Sequence, residues 1–283
     1  MLDALREWLL GLMSSALTGF DSMLADASDI LANGLGDWAN IEALSVTLRP
    51  FCYTIIGICL LIELAQVAAK VDIIKWEHGL KLCVKMVLAK VCIDMAPTVL
   101  QACYMQAQAW VTGLASGGTT FGATTIGYLT PLVNKVKGFG DILGMFLSSF
   151  IVLMAIKICG LMIQVIAFGR MFELYVYLVV SPFPCAFMPL GDGSGGGVSR
   201  ITSKFFKSFI AVCLQGVMMI IVIRVFDVVL GQVLLTALKA AAFKPSVNTA
   251  ITDLVYTMLL GSIALVMAVV KCGSWAKGIL DAM

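Results

Sequence analysis

Long apolar runs recur along this chain, each about the length of a transmembrane helix. The clearest is residues 51–69, FCYTIIGICLLIELAQVAA. A helix needs about 20 predominantly apolar residues to cross ~30 Å of hydrocarbon. A water-soluble fold could not bury such runs in a chain with 60% hydrophobic and 13% charged residues, since ordinary globular domains have about half and about a quarter. The sequence therefore predicts an all-α, polytopic transmembrane helical bundle.

The amino-terminal part has a different pattern. In residues 1–30, apolar side chains recur at three- and four-residue steps between polar ones, which predicts an amphipathic helix. Its apolar stretch is too short to cross the bilayer, and Asp3 and Glu7 are atypical of a secretory signal. We therefore divide the chain into an amphipathic interfacial segment, 1–50, and a transmembrane domain, 51–283. The helix is expected in the membrane interface or against partner helices.

Within the transmembrane domain, we predict five spans and one ambiguous segment. The predicted spans are residues 51–69, 80–103, 142–168, 205–235 and 254–272. The ambiguous segment, 171–190, is long enough to cross but contains Pro182, Pro184 and Pro189. Prolines this close together are incompatible with a regular helix. The segment is predicted to be either a re-entrant element or a sixth span.

Basic residues predict the orientation. Between the first two predicted spans lie Lys70, Lys75, Lys81 and Lys85. Because cytoplasmic loops carry an excess of Lys and Arg, this turn is expected inside and the amino terminus outside. Five crossings then place the long connection 104–141 outside, and the 191–207 loop and the carboxyl terminus inside. If residues 171–190 cross fully, the 191–207 loop moves outside.

The side-chain inventory argues against enzyme chemistry. The nine cysteines form no C-x-x-C pair and His78 is the single histidine, so no metal site, haem site or His-based catalytic triad is predicted. Residues 191–197 satisfy G-x-G-x-x-G, but they follow a proline-broken membrane segment and no β/α pattern surrounds them. We interpret this stretch, which includes Gly195, as a flexible hinge. No catalytic residue and no cofactor is predicted.

Charged residues inside the predicted spans are the main candidate functional residues. They are Glu63, Lys90, Asp94, Lys157, Arg224 and Asp227. Each costs roughly 2.5–3.5 kcal/mol at the bilayer centre, so each needs a partner or water. The spacing lets Lys90 reach Asp94 and lets Arg224 reach Asp227 on one helix face, whereas Glu63 and Lys157 need partners on other helices. The near balance of signs favours pairing that holds a bundle together over a hydrated path, although both interpretations stay open.

The segment from Arg170 to Pro189 is predicted to be the part most closely tied to function. Glu173 lies within reach of Arg170 on the same helical face. The prolines, Pro182 and Pro184 among them, free backbone groups that lipid cannot satisfy, so this element is expected to face the interior of an assembly. The alternative is an ordinary span whose prolines only set a bend.

Several short motifs together resemble the TrbL family of conjugal-transfer membrane proteins. They are Arg49-Pro50 before a span that closes in I-E-L-A-Q, Phe168-Gly169-Arg170-Met171-Phe172-Glu173-Leu174-Tyr175, Ser181-Pro182-Phe183-Pro184, Lys207-Ser208-Phe209 and Lys271-Cys272-Gly273-Ser274-Trp275-Ala276-Lys277. Of these, the G-R-M-x-E-x-Y…S-P-x-P segment is the best single signature. The resemblance covers almost the whole chain.

The resemblance implies a function. It indicates a multi-pass subunit of a bacterial cytoplasmic membrane in a type IV secretion system, of the kind found in Gram-positive integrative conjugative elements. Such a chain is expected to form or line the translocation path as a channel or scaffold, as a homo-oligomer together with other channel components and nucleotide-driven ATPases. It would contact the lipid bilayer and, transiently, a DNA–relaxase substrate. The alternative from another class is a secondary solute transporter or other membrane pore, although no internal repeat supports alternating access.

Overall fold

A computed structural model describes residues 2–34, 38–70, 76–115, 121–134, 139–188, 197–241 and 247–281. Every regular element in these ranges is a helix. The helices are α1 (Leu2–Asn33), α2 (Trp38–Lys70), α3 (Trp76–Ala115), α4 (Phe121–Val133), α5 (Phe139–Val180), α6 (Pro182–Ala186), α7 (Gly197–Ala241) and α8 (Val247–Asp281).

Helices in the described ranges include four that are long and apolar enough to cross a membrane. These segments are Trp38–Gln66, Ile142–Ala186, Ile201–Val233 and Thr252–Leu280. The predicted all-α transmembrane fold is therefore confirmed. Helix α3 is not among the four, although residues 80–103 were predicted to cross, because Lys81, Lys85 and Lys90 interrupt its apolar sequence.

Two prolines lie inside helices. Helix α2 begins at Trp38, well before the predicted start of the first span at residue 51, and continues through Pro50. Helix α3 likewise continues through Pro97 to Ala115. A proline inside a helix removes one backbone hydrogen bond and favours a bend, but it need not end the helix. Pro50 therefore lies within a helix, and the division of the chain at residue 50 stays a prediction.

The predicted connection 104–141 is largely helical. Helix α3 extends to Ala115, and α4 occupies Phe121–Val133. The stretch after Pro97 is rich in Ala and Gln, which are good helix formers, so the helix continues where a loop was expected.

Helix α5 is longer than one crossing requires. Its 42 residues correspond to ~63 Å at 1.5 Å per residue, about twice the hydrocarbon thickness. The predicted boundary between residues 168 and 171 is absent, because the first helix-breaking residue is Pro182 and Gly169 alone does not end the helix. The break that was expected from residue 171 begins at Ser181. Whether this part of the chain re-enters or crosses stays a prediction.

The described helices form two compact units. Unit 1 comprises Met1–Gly34, Trp110–Gly169 and Gln215–Trp275. Its core includes the apolar face of α1, on which Leu9, Leu17 and Phe20 are fully buried. Where α1 meets α5, a Cβ atom on Gly160 would lie 3.0 Å from both Phe20 Cδ2 and Met23 Sδ. The amphipathic helix thus buries its apolar stripe inside the chain, with glycine at the closest approach.

Unit 2 comprises Leu35–Ala109, Arg170–Leu214 and Ala276–Met283. Within it, α2 and α3 pack side by side and the short helix α6 packs against them. The buried residues of this contact are Cys52, Ile56, Ala89, Ile93, Ala96, Cys185 and Ala186. Small side chains dominate the list, so the helices approach closely, as is common for helices packed in a membrane.

Candidate functional site: the α2–α3 pair and the proline turn

Three polar and aromatic contacts join α2 to α3 along its length. The Trp38 and Tyr104 rings lie 5.2 Å apart. The Tyr53 hydroxyl donates a 2.5 Å hydrogen bond to Asp94 Oδ1. Further along, Lys85 Nζ forms an ion pair with Glu63 Oε1. Because the residue numbers rise on α2 as they fall on α3, the two helices are antiparallel over almost the whole segment Trp38–Gln66.

The ion pair supplies the partner that Glu63 was predicted to need from another helix. The Glu63 side chain is 13% exposed, and that of Lys85 is 44% exposed. Glu63 Oε2 is buried and has no hydrogen-bond partner among the described residues. The carboxylate therefore depends on one lysine, whose ammonium group keeps part of its contact with the surroundings.

The expected pair of Lys90 and Asp94 is not formed in the described structure. Asp94 is engaged by Tyr53 from the neighbouring helix, and Lys90 has no hydrogen bond or ion pair with any described residue. Lys90 is exposed. The Asp94 carboxylate therefore accepts its hydrogen bond from Tyr53 on another helix. The spacing of residues along one helix cannot predict such a contact.

Lys90 lies level with the segment of α2 that could cross a membrane. On α3 it stands between Asp94, which contacts Tyr53, and Lys85, which contacts Glu63, so it is level with about residue 57 of α2. The central residue of Trp38–Gln66 is Cys52, ~8 Å away along the helix. An exposed lysine is thus placed level with an apolar, membrane-length segment, to one side of its centre.

At the proline turn between α5 and α6, backbone carbonyls accept hydrogen bonds from nearby hydroxyl groups. Pro182 has no N–H to donate to the Leu178 carbonyl. That carbonyl instead accepts a 2.7 Å hydrogen bond from Ser181 Oγ. The Pro184 carbonyl accepts a 3.1 Å hydrogen bond from Thr202 Oγ1 of α7. The freed carbonyls thus find protein donors, as a break in a membrane helix requires.

Helix α6 is seated against the α2–α3 pair. Pro182 and Pro184 are buried, and Cys185 and Ala186 are 1% and 0% exposed. The Phe183 ring stacks on Phe51 of α2, with centroids 6.1 Å apart and planes inclined by 12°. The proline turn is therefore covered by protein from its own chain.

The charged start of the predicted functional segment contains the expected contact. Arg170 Nη1 donates to Glu173 Oε2 at 2.6 Å, and both side chains are partly exposed, at 28% and 35%. An exposed pair one turn apart on a helix contributes little to stability, about 0.3–0.5 kcal/mol. Pro189 and residues 191–196 of the predicted hinge, Gly195 among them, lie outside the described residues, and Gly197 is the first residue of α7.

Lys157 lies on α5 against the amino-terminal helix. A Cβ atom on Gly19 would lie 3.7 Å from Lys157 Cε, so the aliphatic stem of the lysine packs over this glycine. Among the described residues Lys157 has no ion-pair or hydrogen-bond partner. The predicted partner on another helix is not found in this part of the chain.

A family model described as TrbL/VirB6 plasmid conjugal transfer like protein matches residues 36–182, the range that holds α2 to α5 and the start of the proline turn. The chain belongs to this family. No curated protein and no solved structure matches it. The predicted TrbL-family resemblance is confirmed, and the chain is a conjugal-transfer membrane protein.

In this TrbL/VirB6 family member, Arg224 lies beyond the matched range and binds the end of a helix. Its Nε donates to the Leu114 carbonyl at 3.0 Å, and its Nη2 donates to the Ala115 carbonyl. These are the last carbonyls of α3, which lack partners inside the helix and carry the negative end of its dipole. Asp227 lies one turn further along α7 and is partly buried.

The described residues of this conjugal-transfer chain contain no group of three or more His, Cys, Asp or Glu side chains able to hold a metal ion. The cysteines among the described residues have free thiols. Six of them are buried, namely Cys52, Cys59, Cys159, Cys185, Cys213 and Cys272. They pack as small apolar side chains.

Sequence reasoning missed Tyr53 and Thr202, and it placed Lys85 only in a cytoplasmic cluster. One signal could have found two of these contacts. In an antiparallel pair, a step of ten residues from Tyr53 to Glu63 should match a step of similar length from Asp94 back to Lys85, and it does. Thr202 offers no comparable signal, because its contact depends on where the proline turn folds.

Proposed function

We propose that this chain is a channel or scaffold subunit of a type IV secretion machine in a bacterial cytoplasmic membrane, where it forms or lines the translocation path for conjugative DNA transfer. Family membership supports the conjugal role. The observation that carries the path-lining role is the exposed, unpaired Lys90 on the α2–α3 pair, within the described residues.

The depth of Lys90 follows from the pairing of two helices. Helix α2 has a membrane-length apolar segment, and α3 lies against it from Tyr104 to Lys85. Helix α3 must therefore share the depth of α2, although it is not apolar enough to be a candidate span by itself. Its lysine, level with about residue 57 of α2 and ~8 Å from the central residue Cys52, then lies within the hydrocarbon core.

A lysine at that depth is not stable in contact with lipid alone. Insertion scales give roughly 2.5–3.5 kcal/mol for a charged side chain at the helix centre. Two arrangements remove this cost, namely a water-filled path beside α3 or an acidic group of another subunit. Both require an assembly, which fits a homo-oligomer working with other secretion subunits and ATPases. Along a path, an ammonium group also suits the phosphates of a DNA substrate.

The proline turn supports this arrangement by fixing the pair. Helix α6 packs on the α2–α3 contact, and its carbonyls are satisfied by Ser181 and Thr202. A backbone break that is covered and hydrogen-bonded can hold a rigid position in a membrane. The face of α3 that carries Lys90 is thereby presented in a defined orientation.

The test is a transfer assay in donor cells that lack the gene. Complementation with the wild-type chain should restore transfer, whereas Lys90→Met should lower it at least tenfold with a normal amount of protein in the membrane. Lys90→Arg should keep most of the transfer, since it keeps the charge. Lys81→Met, at an exposed lysine nearer the start of α3, is the matched control.

Two results would overturn the proposal. Transfer that continues undiminished without the gene would remove the conjugal role altogether. Full transfer by Lys90→Met at a normal membrane level would leave the conjugal role and remove the path-lining role. Purification of the wild-type chain from donor membranes should also recover other secretion subunits.

A further inference from the structure

An apolar groove of about 410 Å³ lies between α7 and α8 in unit 1. Helix α7 contributes Val222 and Val229, and α8 contributes Ala264 and Trp275. At one end, Leu230 packs so closely over Gly261 that a Cβ atom there would lie 2.6 Å from Leu230 Cδ1. Trp275 lines the other end. The contact of Leu230 with Gly261 thus closes one end of the groove, and the indole ring of Trp275 borders the other end.

The groove runs from beyond the centre of the bilayer to one surface. From Gly261 to Trp275, α8 rises ~21 Å, more than the ~15 Å of one hydrocarbon leaflet. The centre of the membrane-length segment Thr252–Leu280 is Val266. Gly261 therefore lies ~8 Å beyond the centre, and Trp275 lies ~14 Å from it on the other side, near one surface.

A positive charge lies beside the groove, toward its Trp275 end. Lys271 is exposed and follows Ala268 by three residues and precedes Trp275 by four, so the three share one face of α8. A lysine at this depth can extend its ammonium group toward the headgroups. Tryptophan is enriched at the same level, where its ring meets both lipid and water.

We propose that this groove is a binding site for one anionic phospholipid, with an acyl chain lying between α7 and α8 and the phosphate bound by Lys271. The volume lies within the usual range for small-ligand sites. A helix from a second copy is a poorer fit, since packed helices need axes 8–10 Å apart and a continuous open face. A flexible hydrocarbon chain fits an apolar groove that has a cation beside its Trp275 end.

The experiment is native mass spectrometry of the purified full-length chain in detergent, with palmitoyl-oleoyl phosphatidylglycerol or the zwitterionic phosphatidylcholine added. The wild-type chain should retain phosphatidylglycerol at least about fivefold more than phosphatidylcholine. Lys271→Gln should lose this preference, and Lys271→Arg should keep it. Ala264→Phe, which fills the groove, should lower the retention of both lipids.

The matched control is Met267→Phe, which adds an aromatic ring at an exposed position of the same helix and should behave as wild type. A melting curve of each variant without lipid identifies any that fail to fold. Equal retention by Ala264→Phe and the control would overturn the proposal, as would a preference unchanged by Lys271→Gln. If Ala264→Phe dissociates an oligomer without changing the lipid count, the occupant is a second copy and the proposal is wrong.

Discussion

The ion pair between Lys85 and Glu63 predicts an asymmetric response to mutation. Lys85→Met leaves the Glu63 carboxylate, 13% exposed, without its cation. Removing one partner of a fully buried pair costs about 3–5 kcal/mol, and exposed pairs contribute about 0.2–1 kcal/mol. Because Lys85 is 44% exposed, we discount the buried figure and expect a loss of about 2 kcal/mol.

Glu63→Gln should cost less. It leaves an exposed lysine that can extend toward water, so the expected loss is about 0.5 kcal/mol. The double variant removes both charges and should resemble Glu63→Gln, at about 0.5–1 kcal/mol. The coupling between the two positions is then about 1.5–2 kcal/mol, a size typical of residues in direct contact.

The assay is thermal unfolding of the purified chain in detergent. One kcal/mol shifts the melting temperature of a chain of this size class by about 2–4 °C, so Lys85→Met should melt about 4–8 °C lower and Glu63→Gln at most about 2 °C lower. Lys81→Met, at an exposed lysine one turn earlier, should melt as wild type does. Equal losses in the two single variants, or a double variant less stable than both, would refute the reasoning.

Three further predictions concern packing, the proline turn and topology. Phe20→Ala should cost about 3–5 kcal/mol and deplete the chain from membranes, since this ring is fully buried, and immunoblotting would measure the depletion. Thr202→Val should cost about 1–3 kcal/mol in thermal unfolding because the buried Pro184 carbonyl loses its donor. Thr202→Ser keeps the hydroxyl donor and should keep most of the stability. In a chain without native cysteines, a cysteine at Thr119 should react with an impermeant thiol reagent in intact cells and one at Ser194 should not; labelling at Ser194 would show that residues 171–190 cross the membrane.

The sequence predicted the helices better than it predicted their ends. Apolar runs of membrane length are a strong signal because lipid leaves few alternatives to a helix. Ends are set by weaker, local effects. Pro50 was expected to stand before the first span, yet α2 begins at Trp38 and continues through it. Residues 169 and 170 likewise did not interrupt α5.

The contacts of the candidate site were harder to predict, because they join residues far apart in the chain. Spacing favoured a Lys90–Asp94 pair, but Tyr53 reaches the carboxylate from α2. Spacing likewise could not reveal that Arg224 binds the end of α3. The need for partners was nonetheless predictable, since a charged group in lipid is costly wherever its partner comes from. For Glu63 that expectation led to a contact with Lys85, whereas Lys90 has no partner among the residues that the structure describes.

The most direct measurement is photo-crosslinking from position 90 during active transfer. A photoreactive lysine analogue that keeps the ammonium group replaces Lys90 in complemented donor cells, and the covalent products are identified after illumination with recipients present. The same amino acid at Leu88, which is exposed and points about 200° away around α3, is the control. We expect products with transferred DNA or with another secretion subunit from position 90 and lipid products from position 88. Lipid products alone from both positions would contradict the claim that Lys90 faces the path or a partner subunit.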